Sequence, residues 1–391
     1  MPVRKITDRV HWICSLDAER RLFDELIPLP SGTTYNSYLV RGSVKTALID
    51  GADPGFTDEL IGNLDRLGTD RIDYLITNHA EQDHSGSLPV LLDRFPGSRI
   101  VATPKCVSFL ADMLHVPADR VTAVEDGAIL DLGDGELSFT HFPWVHWPET
   151  MVTFYKRDRI LFPCDLFGSH LAVFDVLPAD DPVLLAEAKR YYATIMMPVR
   201  SAFAGKLPLL DGLDLEYIAP SHGPVLREPA KMIATYKRWM SDKPENLAVI
   251  LYVSMHDSTR HMVMRLVSAL ANRGVRTEVF PLAVGDAGRI AAALVDAATI
   301  VLASPTVLGG PHPLAANAAF LANLLKPKAR FAAVIGSYEW GGHMVEQVKS
   351  LIPSLKCELL GPVLVKGLPR QEDYASLDRL AEEIAARHGT I

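Results

Sequence analysis

Cysteine is scarce in this chain of 391 residues, and the spacing of the few that occur excludes two kinds of site. The four cysteines are Cys14, Cys106, Cys164 and Cys357, and no two of them stand in a Cys-x-x-Cys pair. A disulfide framework or a four-thiolate iron site needs cysteines at short, regular spacings. The sequence therefore predicts neither, and redox chemistry would need electrons from a separate donor.

Long apolar runs and an excess of positive charge are also missing. No apolar run approaches the roughly 20 residues of a membrane-spanning helix, and residues 1–5 lead into a mixed strand pattern rather than a charged and then apolar leader. The formal net charge is −8, whereas nucleic-acid-binding domains usually carry a basic face. We therefore expect a cytoplasmic protein with neither a membrane nor a nucleic acid among its partners.

Four potential metal ligands lie within six consecutive residues: His79, Glu81, Asp83 and His84. They follow an apolar run, residues 71–77, that reads as a strand. Ligands in a loop just after a buried strand have the rigid base that a metal site needs. Two carboxylates alternating with two imidazoles suit a hard, redox-capable metal pair such as iron better than a lone zinc ion.

Three further candidate ligands, His146, Asp165 and His222, come at similar places further along the chain. Each lies just past an apolar, strand-like run, in a loop with glycine or proline nearby. A single histidine in such a loop is more often structural than metal-binding. Seven acidic or imidazole groups in this order favour a dinuclear metal site.

From Asn246 the pattern changes to strands that alternate with amphipathic helices. Strands are predicted at 247–254, 276–282, 299–304, 330–337 and 358–366, and helices at 259–272, 288–297, 313–325, 342–352 and 371–387. Repeated strand–helix units imply right-handed crossovers and a parallel sheet with helices on both faces. We expect two domains, residues 1–245 and 246–391, of which the second has the flavodoxin-like architecture.

Three loops at the carboxyl ends of these strands have chemistry that suits a flavin phosphate and ring. Hydroxyls and backbone N–H groups at a helix N-terminus make a phosphate cradle, and aromatic side chains can stack on an isoalloxazine. The candidate flavin-binding residues are Ser254, Met255, His256, Asp257, Ser258 and Thr259, then Ser304, Pro305, Thr306, Val307, Leu308 and Gly309, then Ser337, Tyr338, Glu339, Trp340 and Gly341. Hydroxyls in the first loop resemble those of FMN-binding flavodoxins, so we expect FMN.

The spacing His79-x-Glu81-x-Asp83-His84 resembles the metallo-β-lactamase motif with its second histidine replaced by Glu81. That variant, with the three later ligands, resembles the flavodiiron proteins, also called A-type flavoproteins. The resemblance implies an α/β and α+β chain: a metallo-β-lactamase-like αββα sandwich followed by a flavodoxin-like doubly wound parallel sheet. It assigns His79, Glu81 and His146 to one non-haem iron, Asp83, His84 and His222 to the other, and Asp165 to the bridge. In some members the histidine equivalent to His84 turns away from the metal.

The same resemblance implies a function. Members of the family reduce dioxygen to water or nitric oxide to nitrous oxide at a diiron centre that is oxo- or hydroxo-bridged when oxidised. FMN passes the electrons on from rubredoxin or a similar small donor. A head-to-tail homodimer, or a dimer of such dimers, is also implied. The choice between the two gases would depend on side chains around the metals, for which His170, Trp147, Tyr191 and Tyr192 are candidates. Core packing explains Trp147 and the two tyrosines at least as well, and a surface or hydrogen-bonding role explains His170 equally well.

Three alternatives stay open from the sequence. A sensor of oxygen or nitric oxide would carry the same ligands and differ only in its turnover rate. A dinuclear zinc hydrolase of the metallo-β-lactamase type would commonly have histidine at the position of Glu81. An FMN electron shuttle with a vestigial metal domain is opposed by the intact ligand set.

Overall fold

The computed structural model describes residues 3–391 and divides into two compact units. The first extends to Arg238 and the second runs from Trp239 to Ile391. The sequence-based boundary at 245/246 lies a few residues further along the chain, and the assignment of separate functions to residues 1–245 and 246–391 stays a prediction. Within the described range, every helix is too short or too polar to span a membrane.

The first unit contains two seven-stranded sheets and a small hairpin. Its strands are β1 (Val3–Lys5), β2 (Val10–Asp17), β3 (Leu22–Phe23), β4 (Ile27–Pro28), β5 (Thr33–Arg41), β6 (Thr46–Ile49), β7 (Tyr74–Ile76), β8 (Arg99–Ala102), β9 (Val121–Ala123), β10 (Ile129–Asp131), β11 (Glu136–His141), β12 (Met151–Tyr155), β13 (Ile160–Phe162), β14 (Val176–Pro178), β15 (Tyr217–Ile218) and β16 (Val225–Arg227). One sheet has the order β1-β2-β5-β6-β7-β8-β9 and the other β10-β11-β12-β13-β15-β16-β14, while β3 and β4 pair only with each other.

The helices of this unit follow the strands in the order of the chain. They are α1 (Thr57–Arg66), α2 (Gln82–Ser85), α3 (Leu88–Arg94), α4 (Pro104–Leu114), α5 (Pro182–Tyr191), α6 (Arg200–Phe203) and α7 (Pro229–Met240), with short 3-10 turns at Pro54–Phe56, Ala118–Arg120, Met197–Val199 and Leu207–Gly212 and a π turn at Tyr192–Met196. Leu60, Leu91 and Leu110 of α1, α3 and α4 pack on one face of the first sheet. This face therefore forms a helix-on-sheet layer.

The other face of the first sheet packs on the second sheet. Trp12 and Tyr38 from the first sheet share one buried cluster with Phe139 and Phe162 from the second, and the rings of Tyr38 and Phe162 lie 5.0 Å apart. Strand β5 is buried along nearly its whole length because both of its faces are covered. The layers are those of the expected metallo-β-lactamase-like sandwich, and this prediction of fold class is confirmed.

Strand β7 is shorter than the predicted strand at 71–77, because only Tyr74–Ile76 pair in the sheet. Asp73 instead turns its carboxylate to polar partners, accepting hydrogen bonds from Thr46 N at 2.9 Å and Lys45 Nζ at 3.1 Å. These contacts hold Asp73 just before β7, so the strand begins three residues later than predicted. The loop that follows β7, residues 77–81, still lies at the edge of the sheet.

The second unit is a parallel sheet with the order β18-β17-β19-β21-β22. Its strands are β17 (Leu247–Tyr252), β18 (Arg276–Pro281), β19 (Thr299–Val307), β20 (Gly310–Pro311), β21 (Phe331–Tyr338) and β22 (Glu358–Lys366), and its helices are α8 (Ser258–Ala271), α9 (Ala287–Leu294), α10 (Pro313–Leu325), α11 (Met344–Leu351) and α12 (Gln371–His388). Separate apolar clusters cover the two faces of the sheet. The order is that of the flavodoxin-like fold, as predicted, and only the two-residue strand β20 was not expected.

Candidate metal and flavin sites

The seven predicted metal-site residues meet at one edge of the first unit. His79, Glu81, Asp83 and His84 lie in the loop after β7 and in the short helix α2 that follows it. His146 comes from the loop between β11 and β12, Asp165 from the loop after β13, and His222 from the loop after β15. Adjacent strand ends thus bring together residues that are far apart in the sequence.

Two of these loops are held in place by buried polar side chains. The carboxylate of Asp50 accepts hydrogen bonds from Asn78 N at 2.9 Å and Asn78 Nδ2 at 3.0 Å, directly before His79. Asn36 Nδ2 donates to Pro220 O and to Gly223 O, both at 2.8 Å, on either side of His222. Short side chains on rigid strands therefore fix the backbone on which the candidate ligands stand.

The first cluster consists of His79, Glu81, His146 and Asp165. Glu81 Oε2 lies 3.1 Å from both His79 Nε2 and His146 Nε2. Asp165 Oδ2 lies 3.4 Å from His146 Nε2 and 3.6 Å from His79 Nε2. One ligand atom from each of the four residues falls within 4.8 Å of every other, so the four side chains are close enough together to hold one ion.

The second cluster consists of Asp83, His84 and His222. Asp83 Oδ2 lies 3.1 Å from His222 Nε2, and Asp83 Oδ1 lies 3.3 Å from His84 Nε2. The other oxygen of Asp165, Oδ1, lies 3.2 Å from His84 Nε2 and 3.5 Å from His222 Nε2. Asp165 therefore presents one oxygen to each cluster, and His84 points into the site.

Buried atoms without a hydrogen bond show that this arrangement suits cations. Asp83 Oδ1, His84 Nε2 and Asp165 Oδ2 are buried and have no hydrogen-bond partner among the described residues, although the distances above bring them close to one another. Buried polar groups without partners are costly and uncommon. Acceptor atoms that converge in this way fit two metal ions bridged by a carboxylate.

The pKa shifts within the two clusters also fit a site that binds cations. Burial opposes a charge on His146, but its hydrogen bonds to the Asp165 and Glu81 carboxylates outweigh this effect and raise the pKa of His146 to about 10. Burial also opposes the charge on Asp165, yet the neighbouring His84 and His146 hold the pKa of Asp165 well below its usual range. Metal ions and protons compete for the same imidazole nitrogens, so metal binding would release protons.

Three contacts that the sequence did not reveal orient the candidate ligands. Glu149 Oε1 accepts from His79 Nδ1 at 2.6 Å, and the carbonyl oxygen of Thr34 accepts from His222 Nδ1 at 2.6 Å. Tyr191, at the end of α5, donates its hydroxyl hydrogen to Asp165 Oδ1 at 2.7 Å. No local pattern marks Glu149 or Thr34 in the sequence, since both contacts join loops that are distant in the chain.

A cavity of about 270 Å³ adjoins the second cluster. Glu81, Asp83 and His222 line one part of it, and Phe23 and His170 line another. Burial lowers the pKa of His170 to about 3, so its imidazole is neutral at physiological pH. The cavity thus offers a small molecule direct access to the candidate ligands.

The other predicted pocket residues have different surroundings. The ring of Trp147 lies 4.9 Å from that of His79. His170 contacts His222 at a ring distance of 5.2 Å and Tyr191 at 4.8 Å. Tyr192 packs on Tyr236, at a ring distance of 5.3 Å. Trp147, His170 and Tyr191 therefore lie beside the clusters, whereas the described contacts of Tyr192 are with the core.

The three predicted flavin loops line a second cavity, of about 320 Å³, at the carboxyl ends of β17, β19 and β21. Of the candidates, Ser254, Met255, His256, Ser258, Thr259, Pro305, Thr306, Gly309, Ser337, Tyr338, Glu339, Trp340 and Gly341 line it, together with Gly367, which was not predicted. Thr259 Oγ1 and Ser337 Oγ lie 3.3 Å apart, and Ser254 Oγ accepts from Arg260 N at 3.2 Å. Hydroxyls and the first turn of α8 thus meet at one end of the cavity.

Four candidates from these loops are not in the cavity wall. Ser304 accepts from His312 N at 2.9 Å, and Val307 pairs with Gly310 in the β19–β20 hairpin. Leu308 is fully exposed. The side chain of Asp257 is 62% exposed and lies 3.6 Å from Arg260, so its negative charge turns towards solvent rather than into the phosphate cradle.

Comparison with known proteins agrees with this architecture. A family model described as ODP family beta lactamase matches residues 33–223. A nitric oxide reductase of Moorella thermoacetica is 33% identical over 396 residues, covering 98% of each chain, and a type A flavoprotein of Rhodobacter capsulatus is 33% identical over 398 residues, covering 97% of this chain and 91% of its own. The solved structure of rubredoxin oxygen:oxidoreductase from Desulfovibrio gigas superposes with a TM-score of 0.94 at 27% identity, covering 100% of this chain and 99% of that one.

The fold and the paired clusters define a metallo-β-lactamase-like protein with a candidate dinuclear centre and an appended flavodoxin-like unit. The matches to the Moorella thermoacetica and Desulfovibrio gigas proteins extend over both units. The chain belongs to the flavodiiron, or A-type flavoprotein, family.

Proposed function

We propose that this protein is an oxidoreductase that reduces dioxygen, nitric oxide or both at a non-haem diiron site, with FMN as the electron relay. The observation that carries the proposal is the position of Asp165, whose two oxygens each face one cluster of histidine and carboxylate side chains. His79, Glu81 and His146 would hold one ion, and Asp83, His84 and His222 the other. Two ferrous ions and a reduced flavin together supply the four electrons that convert dioxygen to water, or the two that couple two molecules of nitric oxide.

Groups around the clusters fix the hydrogen-bonding roles of His222 and Tyr191. Because the carbonyl oxygen of Thr34 accepts from His222 Nδ1, the lone pair of His222 lies on Nε2, towards the second cluster. Burial and the Asp165 charge raise the pKa of Tyr191 well above its usual range, so its hydroxyl keeps its proton. Tyr191 therefore remains a hydrogen-bond donor to Asp165 throughout the physiological pH range.

Glu81 separates this proposal from the dinuclear zinc hydrolase. Its carboxylate stands between His79 and His146, at the position where hydrolases of this fold commonly carry a third imidazole. A carboxylate is a harder ligand than imidazole and favours a redox-active ion such as iron over zinc. The hydroxyls near the α8 N-terminus support FMN as the flavin, because a helix N-terminus binds a terminal phosphate.

Two further parts of the proposal depend on the family resemblance. An external one-electron donor, rubredoxin or a similar small protein, would reduce the flavin; none of the four cysteines stands in a Cys-x-x-Cys pair. The working form would be a head-to-tail homodimer or a dimer of such dimers. The protein would act in the cytoplasm.

A single substitution tests the metal site and the function together. Glu81→Ala removes the carboxylate shared by His79 and His146, so we expect loss of iron from the first cluster and loss of gas reduction, with flavin content unchanged. Asp112→Ala, which changes an exposed carboxylate on α4, is the matched control. Iron and flavin analysis with anaerobic gas-consumption assays gives the answer. Full iron content and full activity in Glu81→Ala would show that the ligand assignment is wrong.

A further inference from the structure

We propose that Glu149 is a positioning residue that fixes His79 as a metal ligand and makes the two metal positions electronically unequal; this rests on the proposed diiron function. Its Oε1 lies 2.6 Å from His79 Nδ1 and 3.0 Å from the backbone N of Ala80. Ala80 stands between the candidate ligands His79 and Glu81. One carboxylate oxygen therefore holds both the ring and the backbone of the stretch that supplies two ligands to the first cluster.

The hydrogen bond determines which imidazole nitrogen is free. Since a carboxylate oxygen can only accept, His79 donates from Nδ1, and its lone pair lies on Nε2. His79 Nε2 is the atom that lies 3.1 Å from Glu81 Oε2 and 3.6 Å from Asp165 Oδ2. Without an acceptor at Nδ1, the imidazole would lose the contact that selects this tautomer and ring orientation.

The surroundings of Glu149 point to a role for its charge and not only for its hydrogen bonds. Its side chain is 0% exposed, and its second oxygen, Oε2, is buried with no hydrogen-bond partner in the part of the chain that the structure describes. A buried anion is costly unless positive charge lies nearby. Both of its hydrogen bonds use Oε1, so an amide in this place could keep them while losing the charge. Cations in the first cluster would offset the negative charge that the protein keeps here.

The equivalent contact in the second cluster is uncharged. His222 Nδ1 donates to the carbonyl oxygen of Thr34 at 2.6 Å, a neutral acceptor. A carboxylate partner makes an imidazole a stronger donor to its metal than a carbonyl partner does. Glu149 therefore strengthens binding at the first cluster and favours the higher oxidation state of the ion that His79 holds, relative to the ion held by His222.

Two substitutions separate the charge from the hydrogen bonds. Glu149→Gln keeps an acceptor oxygen at nearly the same size, and Glu149→Ala removes both properties. Glu125→Gln, at an exposed acidic position, is the matched control. Outer partners of metal ligands typically contribute 10–100-fold to metal affinity. We expect Glu149→Ala to weaken one of two Co²⁺ sites by 10–100-fold, Glu149→Gln to weaken the same site less, and the control to change neither.

The assay is Co²⁺ binding to the metal-free full-length protein, by chelator competition followed in the visible spectrum. A redox titration of the iron-loaded protein adds a second readout, in which Glu149→Gln should raise the potential at which the first ion is oxidised. Flavin content shows whether each variant is folded. Wild-type affinity and wild-type potential in both variants would overturn the inference. A wild-type protein that binds two irons but reduces neither gas would instead overturn the proposed function, leaving the positioning role standing.

Discussion

Replacing Tyr191 by phenylalanine tests whether a hydrogen bond from outside the two clusters stabilises Asp165, the candidate bridging residue. The change removes one hydroxyl that donates to the buried Asp165 Oδ1 at 2.7 Å. Hydrogen bonds to charged groups contribute about 1.5–3 kcal/mol to stability. Asp165 Oδ1 also lies 3.2 Å from His84 Nε2, which compensates in part, so we expect a loss near the lower end of that range in the metal-free protein.

The structure provides a matched control for this experiment. Tyr155 is equally buried, and its hydroxyl has no hydrogen-bond partner among the described residues. Tyr155→Phe should therefore be close to neutral or slightly stabilising, because it removes a buried polar group that is not satisfied. The same aromatic ring remains in both variants, so the comparison isolates the hydroxyl.

Calorimetry on the chelated protein gives the measurement. For a unit of this size, about 1 kcal/mol changes the midpoint of thermal unfolding by roughly 2–4 °C, so Tyr191→Phe should lower it by about 3–8 °C. In the iron-loaded protein the difference should shrink, because bound ions would then stabilise the Asp165 carboxylate. Equal effects of Tyr191→Phe and Tyr155→Phe would refute the reasoning.

Two predictions concern the second unit. His388 donates from Nδ1 to Asn246 Oδ1 at 2.8 Å and accepts at Nε2 from Thr299 Oγ1 at 2.7 Å. Burial lowers the pKa of His388 below its ordinary value of 6.5. The stabilisation of the unit by neutral His388 is therefore complete above about pH 6.5 and is lost as the pH falls through the folded-state pKa. Denaturation at pH 7 and pH 5 should show a smaller pH dependence in His388→Gln. Gly336→Ala would place a Cβ 2.2 Å from the carbonyl oxygen of Ser304, so it should destabilise the unit by roughly 1–3 kcal/mol and reduce the flavin content measured after purification.

Each of these two changes has a control on the same unit. His261 is an exposed histidine on α8, and His261→Gln should leave the pH dependence unaltered. A Cβ at Gly361 would meet only the flexible end of Glu383, at 3.8 Å, so Gly361→Ala should keep both stability and flavin. A wild-type pH profile in His388→Gln, or full flavin and stability in Gly336→Ala, would contradict the corresponding argument.

Much of the fold could be predicted because its local signals agree with one another. The alternation of strands and helices after Asn246 predicted the parallel sheet, and the structure shows its five main strands in flavodoxin-like order. In the first unit, the loops after apolar runs carry His146, Asp165 and His222, and strand pairing brings these loops to one edge. Their juxtaposition is observed, while their role as iron ligands stays a prediction.

The contacts that orient the ligands could not be predicted from the sequence. Glu149 lies 70 positions from His79 along the chain, and Thr34 lies 188 positions from His222. Neither residue type is rare, and the partner atom of Thr34 is a backbone oxygen that any residue would supply. Such pairs are created by the packing of one sheet on the other. Local sequence patterns therefore identify the candidate ligands but not the residues that orient them.

The measurement that tests the central claim most directly is the metal and flavin content of protein purified without added metal, followed by anaerobic reduction and separate exposure to dioxygen and nitric oxide. The seven candidate ligands, Asp165 included, predict two irons for each chain, and the cavity in the second unit predicts one FMN. Together they predict rapid consumption of at least one gas. Two zinc ions with little iron, and no consumption of either gas by the reduced protein, would contradict the account and favour the hydrolase.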